Sequence, residues 1–271
     1  MLTLDHVGLF TDDLDALARR LEQAGLLLSP LTPQFNRDAT GKEVPAGTAN
    51  RLAILADGYL EFLTPVSDTP LARQMRHAIE RYRGFHLVAF GTDDAAADHR
   101  RLEEGGFEPL PLVHLRRAVE EGGEPRIAQF SVARVPPVAM PEGRIQFCQH
   151  HTPELVWREP WRTQPNGWLA LNDVLLCVED AEAVAARYAA FTGLAARCIA
   201  DGQWLLETAR GRVAFMEPSR LRGFPHPFPA PPSMPAIAVA SHAPAGIIDL
   251  RPQAEALVEI VPPGIDPFWL R

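Results

Sequence analysis

The sequence predicts an α+β protein built of four βαβββ-type units, the last of them degenerate, and three observations lead there. Apolar runs of strand length and stretches of helical spacing follow one another in a fixed order: strand, helix, three strands. The order recurs with a period of about eighty residues, too long for a solenoid. Polar residues of ligand type recur with it. His6 and His86 each sit in an apolar run that ends in a threonine-aspartate-aspartate turn, and Glu61 and Gln146 each follow a glycine by three residues. The two histidines are 80 positions apart, and Glu61 and Gln146 are 85 apart.

The first unit opens with a strand over residues 2–10, closed by Thr11, Asp12 and Asp13. Leu14, Ala16, Leu17, Leu21 and Ala24 then repeat at helical spacing, and Gly25 supplies the stop. A strand over 26–31, a turn-rich loop over 33–47 and two strands, 50–57 and 59–65, complete the unit, the last two joined at Asp57-Gly58, a dipeptide that favours hairpins. After a linking helix over 70–84, the second unit has its opening strand at 84–92, its helix at 93–106 and strands at 107–115, 126–135 and 144–151. Beyond a loop over 160–168, the third runs through a strand at 169–180, a helix at 181–193 and strands at 194–200, 203–209 and 212–218. The proline-rich stretch 217–235 reads as an extended connector. Of the fourth unit, 233–241 and 256–263 read as strands, with no helical pattern between them.

Composition sets limits on function. A chain of 271 residues that is 46% hydrophobic can bury a full core. A net charge of −8 gives no basic face for nucleic acid. No apolar run suits a membrane span and the N-terminal residues lack a signal pattern, so the expectation is a cytoplasmic protein with no membrane partner. Cys148, Cys177 and Cys198 have no CxxC spacing and read as buried thiols. The dinucleotide, P-loop, zincin and hydrolase motifs do not occur.

In its repeated strand–helix–three-strand order, with a histidine on the opening strand and a carboxylate on the closing one, the chain resembles the vicinal oxygen chelate superfamily. The likeness is to its glyoxalase-like branch, alongside bleomycin resistance proteins and extradiol dioxygenases. LDHVGLFTDDLDALARRLEQAGL, GTANRLAILADGYLEFL and RIQFCQHHTPELVW carry it, well over residues 1–157 and more weakly beyond. The resemblance implies two cupped mixed-sheet halves: residues 1–157 with the metal site, and residues 168–271 as a structural or pocket-closing pair. It implies ligands His6, Glu61, His86 and Gln146 around one divalent ion, whether zinc, nickel, manganese or iron. In the third and fourth units Asp173 stands where His6 would, Ala214 where Glu61 would, and Ala236, Ile237 and Ala238 fill the last opening strand, leaving Glu259 as the remaining match.

The resulting expectation is a metal-dependent lyase or isomerase acting on a small vicinal-oxygen substrate. The alternatives are an iron(II) dioxygenase and a metal-free binding or resistance protein. Glutamine at 146 removes a base carboxylate from the glyoxalase I template, so the proton-transfer role passes to Glu61 or to His151 at the rim. His150 and Glu154, beyond the last ligand strand, and Arg37, in the long loop, are the candidates for substrate contact, Arg37 as a bidentate clamp on a carboxylate. The bland readings of these residues are a solvated turn and an exposed loop arginine. Both paired units lie in one chain, so the site need not be completed across a homodimer interface.

Overall fold

Each helix begins where a short polar side chain can satisfy its free N–H groups. Asp13, Asp94 and Asp180 accept from the backbone N–H of Ala16, Ala97 and Ala183, and Thr69 accepts from that of Ala72. The computed structural model describes residues 1–37, 42–121, 124–225 and 227–271. Unit one is β1 (Thr3–Phe10), α1 (Leu14–Gln23), β2 (Thr32–Arg37), β3 (Glu43–Ile54) and β4 (Tyr59–Pro65). A linking helix, α2 (Pro70–Arg81), leads to unit two: β5 (Gly84–Gly91), α3 (Ala95–Glu104), β6 (Val113–Glu121), β7 (Glu124–Arg134) and β8 (Arg144–His150). Unit three is β9 (Trp168–Cys177), α4 (Ala181–Thr192), β10 (Ala196–Ala200), β11 (Gln203–Glu207) and β12 (Arg212–Met216). Unit four keeps β13 (Ser233–Ser241), β14 (Gly246–Asp249) and β15 (Leu257–Val261), with no α-helix among its described residues.

One rule of pairing repeats: the opening strand of each unit lies parallel to its closing strand, as β1 with β4, β5 with β8, β9 with β12 and β13 with β15. Opening strands then pair antiparallel, β1 with β5 and β9 with β13. The first half therefore runs β2-β3-β4-β1-β5-β8-β7-β6, and the second β10-β11-β12-β9-β13-β15-β14. Residues 26–31 carry no ladder pairing. Leu26 and Leu28 are buried in a connection that Pro30 interrupts, and pairing begins at Thr32 against the early part of β3. The turn-rich composition of 33–47 masked that hairpin arm.

Alternation places two sets of side chains on each sheet. Val7, Leu9, Val88 and Phe90 of the first half and Val174, Leu176, Ile237 and Val239 of the second pack with α1 and α4 in one apolar core. Phe191 of α4 stacks on Phe147 of β8 at 4.7 Å, and Arg187 of α4 pairs with buried Glu142, so the core runs unbroken across the halves. The other faces form two concavities, each partly covered by the chain: in the first half Met75 of α2 packs with Phe10, Leu63 and Leu87, and Trp157 packs on Tyr59 and His150. The second is filled by the chain itself: Trp269 is buried against Leu175, Ala214, Ala236 and Leu257, with Phe224, Phe228 and Phe268 packed beside it.

Candidate functional site

The first concavity is organised by two bulges. In the β1–β5 ladder Leu4 faces Phe90 and His6 faces Ala89, so Asp5 is the extra residue; Gly8 faces Leu87 and Leu9 faces Phe85, so His86 is the extra residue on β5. Val7 opposes Val88, which sets an offset of 81 between equivalent positions of the opening strands. His6 therefore corresponds to Leu87, and His86 corresponds to Asp5. The closing strands keep the offset of 85: Glu61 pairs with Gly8 and Gln146 with the equivalent Ala89. The expected equivalence of His6 and His86 is corrected by one residue, a slip large enough in a strand to change which side chain reaches a site.

His86 accordingly does not join the others. Its Nε2 hydrogen-bonds the Tyr82 carbonyl at 2.8 Å, and its ring lies between Tyr82 and Phe10, with centroids at 4.0 and 5.3 Å. Burial, with Arg81 and Arg144 adding to it against the Tyr82 hydrogen bond, lowers its pKa to about 4. In the unfolded chain an imidazole titrates near 6.5, so between 6.5 and 4 the unfolded state binds the extra proton. Stability that is complete above pH 6.5 is lost as pH falls through this window, by about 3 kcal/mol in all. Urea midpoints at pH 7 and pH 4 check this: the His86→Phe variant loses clearly less than the wild type, and equal losses would refute it. Asp5 adds its own loss only below its ordinary value of 3.8.

Asp5, an acceptor that the sequence reading passed over, is the organiser of the floor. Its carboxylate meets His6 Nδ1 at 2.7 Å and His150 Nε2 at 3.0 Å. A carboxylate only accepts, so both imidazoles donate to it, which leaves His6 Nε2 and His150 Nδ1 as the nitrogens turned away from Asp5. Burial pushes the Asp5 carboxyl up, but the two imidazoles outweigh it and hold the group well below the usual carboxylate range. His6 stacks on Tyr59 at 4.3 Å, and its Nε2 faces Glu61 Oε2 at 4.0 Å. The other oxygen of Glu61 accepts from Asn50 Nδ2 at 2.6 Å and Gln34 Nε2 at 3.2 Å. Asn50 Oδ1 and His150 Nδ1 are buried without hydrogen-bond partners among the described residues.

Of the predicted residues, His6, Glu61 and His150 thus line the cup together, and Gln146 joins them from β8, buried beside Ala89. His151 is corrected. It is bonded through Ser131 Oγ, at 2.7 Å, to His114, on the face of β7 opposite Phe130 and Val132, so it does not reach the cup. Glu154 is exposed on the turn Pro153–Leu155. Arg37 ends β2, and its side chain lies outside the described residues. Cys148 and Cys177 are buried as expected, whereas Cys198 is exposed. Asp5, Cys148 and His150 place a carboxylate oxygen, a sulfur and a nitrogen within 4.8 Å of one another. Burial, reinforced by the charges of Asp5 and Glu61, pushes the Cys148 thiol well up, which disfavours the thiolate a metal would need. Arg144, overlooked in the sequence, enters the cup from β8 with its guanidinium 5.5 Å above the Phe10 ring.

Register places Asp173 where His6 stands and Ala214 where Glu61 stands, as the repeat implied. Asp173 is fully buried and takes Arg212 in a two-bond fork of 2.6 and 3.0 Å. Glu259 accepts from the Phe268 N–H at 2.8 Å and from Arg271 at 3.0 Å, which ties the aromatic plug in place.

Residues 4–192 match the family model described as a glyoxalase-like domain. The fold superposes on a hypothetical protein from Staphylococcus aureus with a TM-score of 0.73 at 12% identity, over 97% of this chain and 100% of that one. A mutant 4-hydroxymandelate synthase from Streptomyces coelicolor gives 0.51 at 18% identity, over 88% of this chain and 70% of that one. A methylmalonyl-CoA epimerase variant from the same organism gives 0.39 at 19% identity, over 56% and 99%. At these identities the likeness is one of fold. No curated protein matches the chain. No helix among the described residues is long and apolar enough to cross a membrane.

Proposed function

Because this chain belongs to the glyoxalase-like domain family, we propose that its first cup carries out ion-assisted proton transfer, as a lyase or isomerase, on a small molecule with two neighbouring oxygens. The supporting observation is that His6 Nε2 and Glu61 Oε2 face each other across 4.0 Å while the partner atom of each is already hydrogen-bonded. Positive charge between them, from a proton on His6 or from a bound cation, relieves the repulsion of two such groups. A carboxylate behind the other imidazole nitrogen, here Asp5, is the usual support of a metal-bound histidine. Gln146 adds an amide oxygen with no hydrogen-bond partner among the described residues. The donors therefore fit a divalent ion held by His6, Glu61 and Gln146. With Leu87 in place of a second imidazole, the set is rich in oxygen and suits manganese better than zinc or nickel.

A bound ion supplies charge that polarises a substrate carbonyl and offsets the negative charge left when the neighbouring carbon loses a proton. Glu61 would accept that proton at Oε2 on leaving the ion as substrate binds, while Asn50 and Gln34 keep Oε1 anchored. His150 is a positioning residue: through Asp5 it keeps the His6 ring in one tautomer. An iron(II) dioxygenase needs two imidazoles and a carboxylate on one ion, and the placement of His86 argues against that alternative.

The test is solvent exchange. Protein loaded with manganese is incubated in deuterium oxide with small hydroxycarbonyl and dicarbonyl compounds, and loss of the proton signal is followed by NMR. Exchange that stops on chelation and returns with manganese supports the reading. Binding of a compound without exchange identifies a sequestering module instead.

A further inference from the structure

Three arginines enter the cup, and among the described residues none of them is hydrogen-bonded to a carboxylate. Arg144 makes no hydrogen bond or ion pair among the described residues, and its guanidinium lies over the Phe10 ring. Arg134 Nε is buried without a partner. Among the described residues Arg117 bonds only Thr32 Oγ1, at 2.9 Å. The ladder brings the first two together: Arg134 is paired with Gln146, and Arg144 precedes Gln146 by two residues on the same face. Like charges gathered in a desolvated place cost stability unless something compensates them. Glu61 is the carboxylate acting on Arg144 and Arg117, and it is already engaged by Asn50 and Gln34. Around the guanidiniums the wall is hydrocarbon, from Phe10, Leu63, Met75, Leu87 and Val132.

We propose that Arg144 and Arg134 form a clamp for an oxyanion, a carboxylate or a phosphate, borne by a substrate whose body is apolar. The placement beside Gln146 sets the geometry. Residues two apart on a strand are separated by roughly 7 Å, so the anionic group lies about that far from the atoms that Gln146 approaches. The substrate thus has its neighbouring oxygens at one end, at His6 and Glu61, and a charged head at the other, with apolar atoms against Phe10 and Leu87. The clamp rests on the proposed use of this cup for a small oxygenated substrate, but it makes a separate claim about charge.

Calorimetric titration of the full chain with phenylacetate, phenyl phosphate and benzyl alcohol tests it, with and without manganese. At least one of the anions binds, at least tenfold tighter than the alcohol, and Arg144→Met and Arg134→Met each weaken that anion at least tenfold. Whichever anion wins identifies the head group. Arg144→Met also melts no lower than the wild type in the absence of ligand, since it removes a half-buried like charge beside Arg134; a purely structural arginine would lower the melting temperature. Equal affinity for benzyl alcohol, or unchanged anion affinity in Arg144→Met, overturns the clamp. If Arg144→Met does not fold, Arg134→Met and the comparison of probes on the wild type still decide. Anion binding that persists in a protein without exchange activity sinks the proton-transfer reading and leaves the clamp standing. Exchange without anion preference does the reverse.

Discussion

Glu61→Gln lowers turnover about a thousandfold while the protein stays folded, because an amide cannot accept the proton that the carboxylate takes. The replacement is nearly isosteric, and its carbonyl can still accept from Asn50 and Gln34, the two donors that hold Oε1. The lost charge is felt at His6, 4.0 Å away, so bound manganese falls as well. Two measurements separate these effects: the rate of deuterium exchange into substrate at saturating manganese, and the manganese affinity of the variant. A rate within tenfold of wild type at saturating metal would mean that another group accepts the proton. His150, whose Nδ1 is buried and unpartnered, would be the next to test.

Arg212→Met costs about 3–5 kcal/mol of stability, the range expected when one member of a buried ion pair is removed. Asp173 is fully enclosed, and burial raises its pKa even with Arg212 opposing. Without the guanidinium it must either stay charged among Leu175, Ala214 and Ala236 or take up a proton. The same arginine reaches Asp266 at 2.8 Å, so its loss also loosens the segment that carries Phe268 and Trp269. Urea unfolding at pH 7 gives the loss directly. The double variant Asp173→Leu with Arg212→Met recovers at least half of it, since an apolar pair has no charge to desolvate. If the double variant is no better than the single, the loss comes from detachment of the plug and not from the stranded carboxylate.

Much of the architecture was legible because local signals agreed with the global pattern. The aspartate caps, the helical spacing of Leu14, Leu17 and Leu21, and the Asp57-Gly58 turn each marked an element that forms. The site was less legible, for one reason. Counting positions between histidines gives 80, whereas the bulges at Asp5 and His86 mark equivalent positions 81 apart, so the two histidines are not equivalents. Bulges leave little trace in hydrophobic alternation, and so Asp5 looked like a strand residue of no consequence. His150 and His151 posed the same problem at the end of β8: adjacent residues face opposite ways, and only pairing with Phe130 shows which one turns inward. Arg144 was readable in principle, as a charge two residues before Gln146 and so on the same face of its strand.

The aromatic stopper in the second half bears on how such a chain can be re-engineered. Restoring a histidine at 173 and a glutamate at 214 would recreate the two strongest ligand types in the right register, yet a guest would find Trp269 already seated against Ala214. Vacating that bowl means first detaching Arg212 and Glu259 from the terminal segment they fasten. The bowl of the second half is taken up by its own chain, so grafting ligands there demands removal of the stopper before any guest can enter.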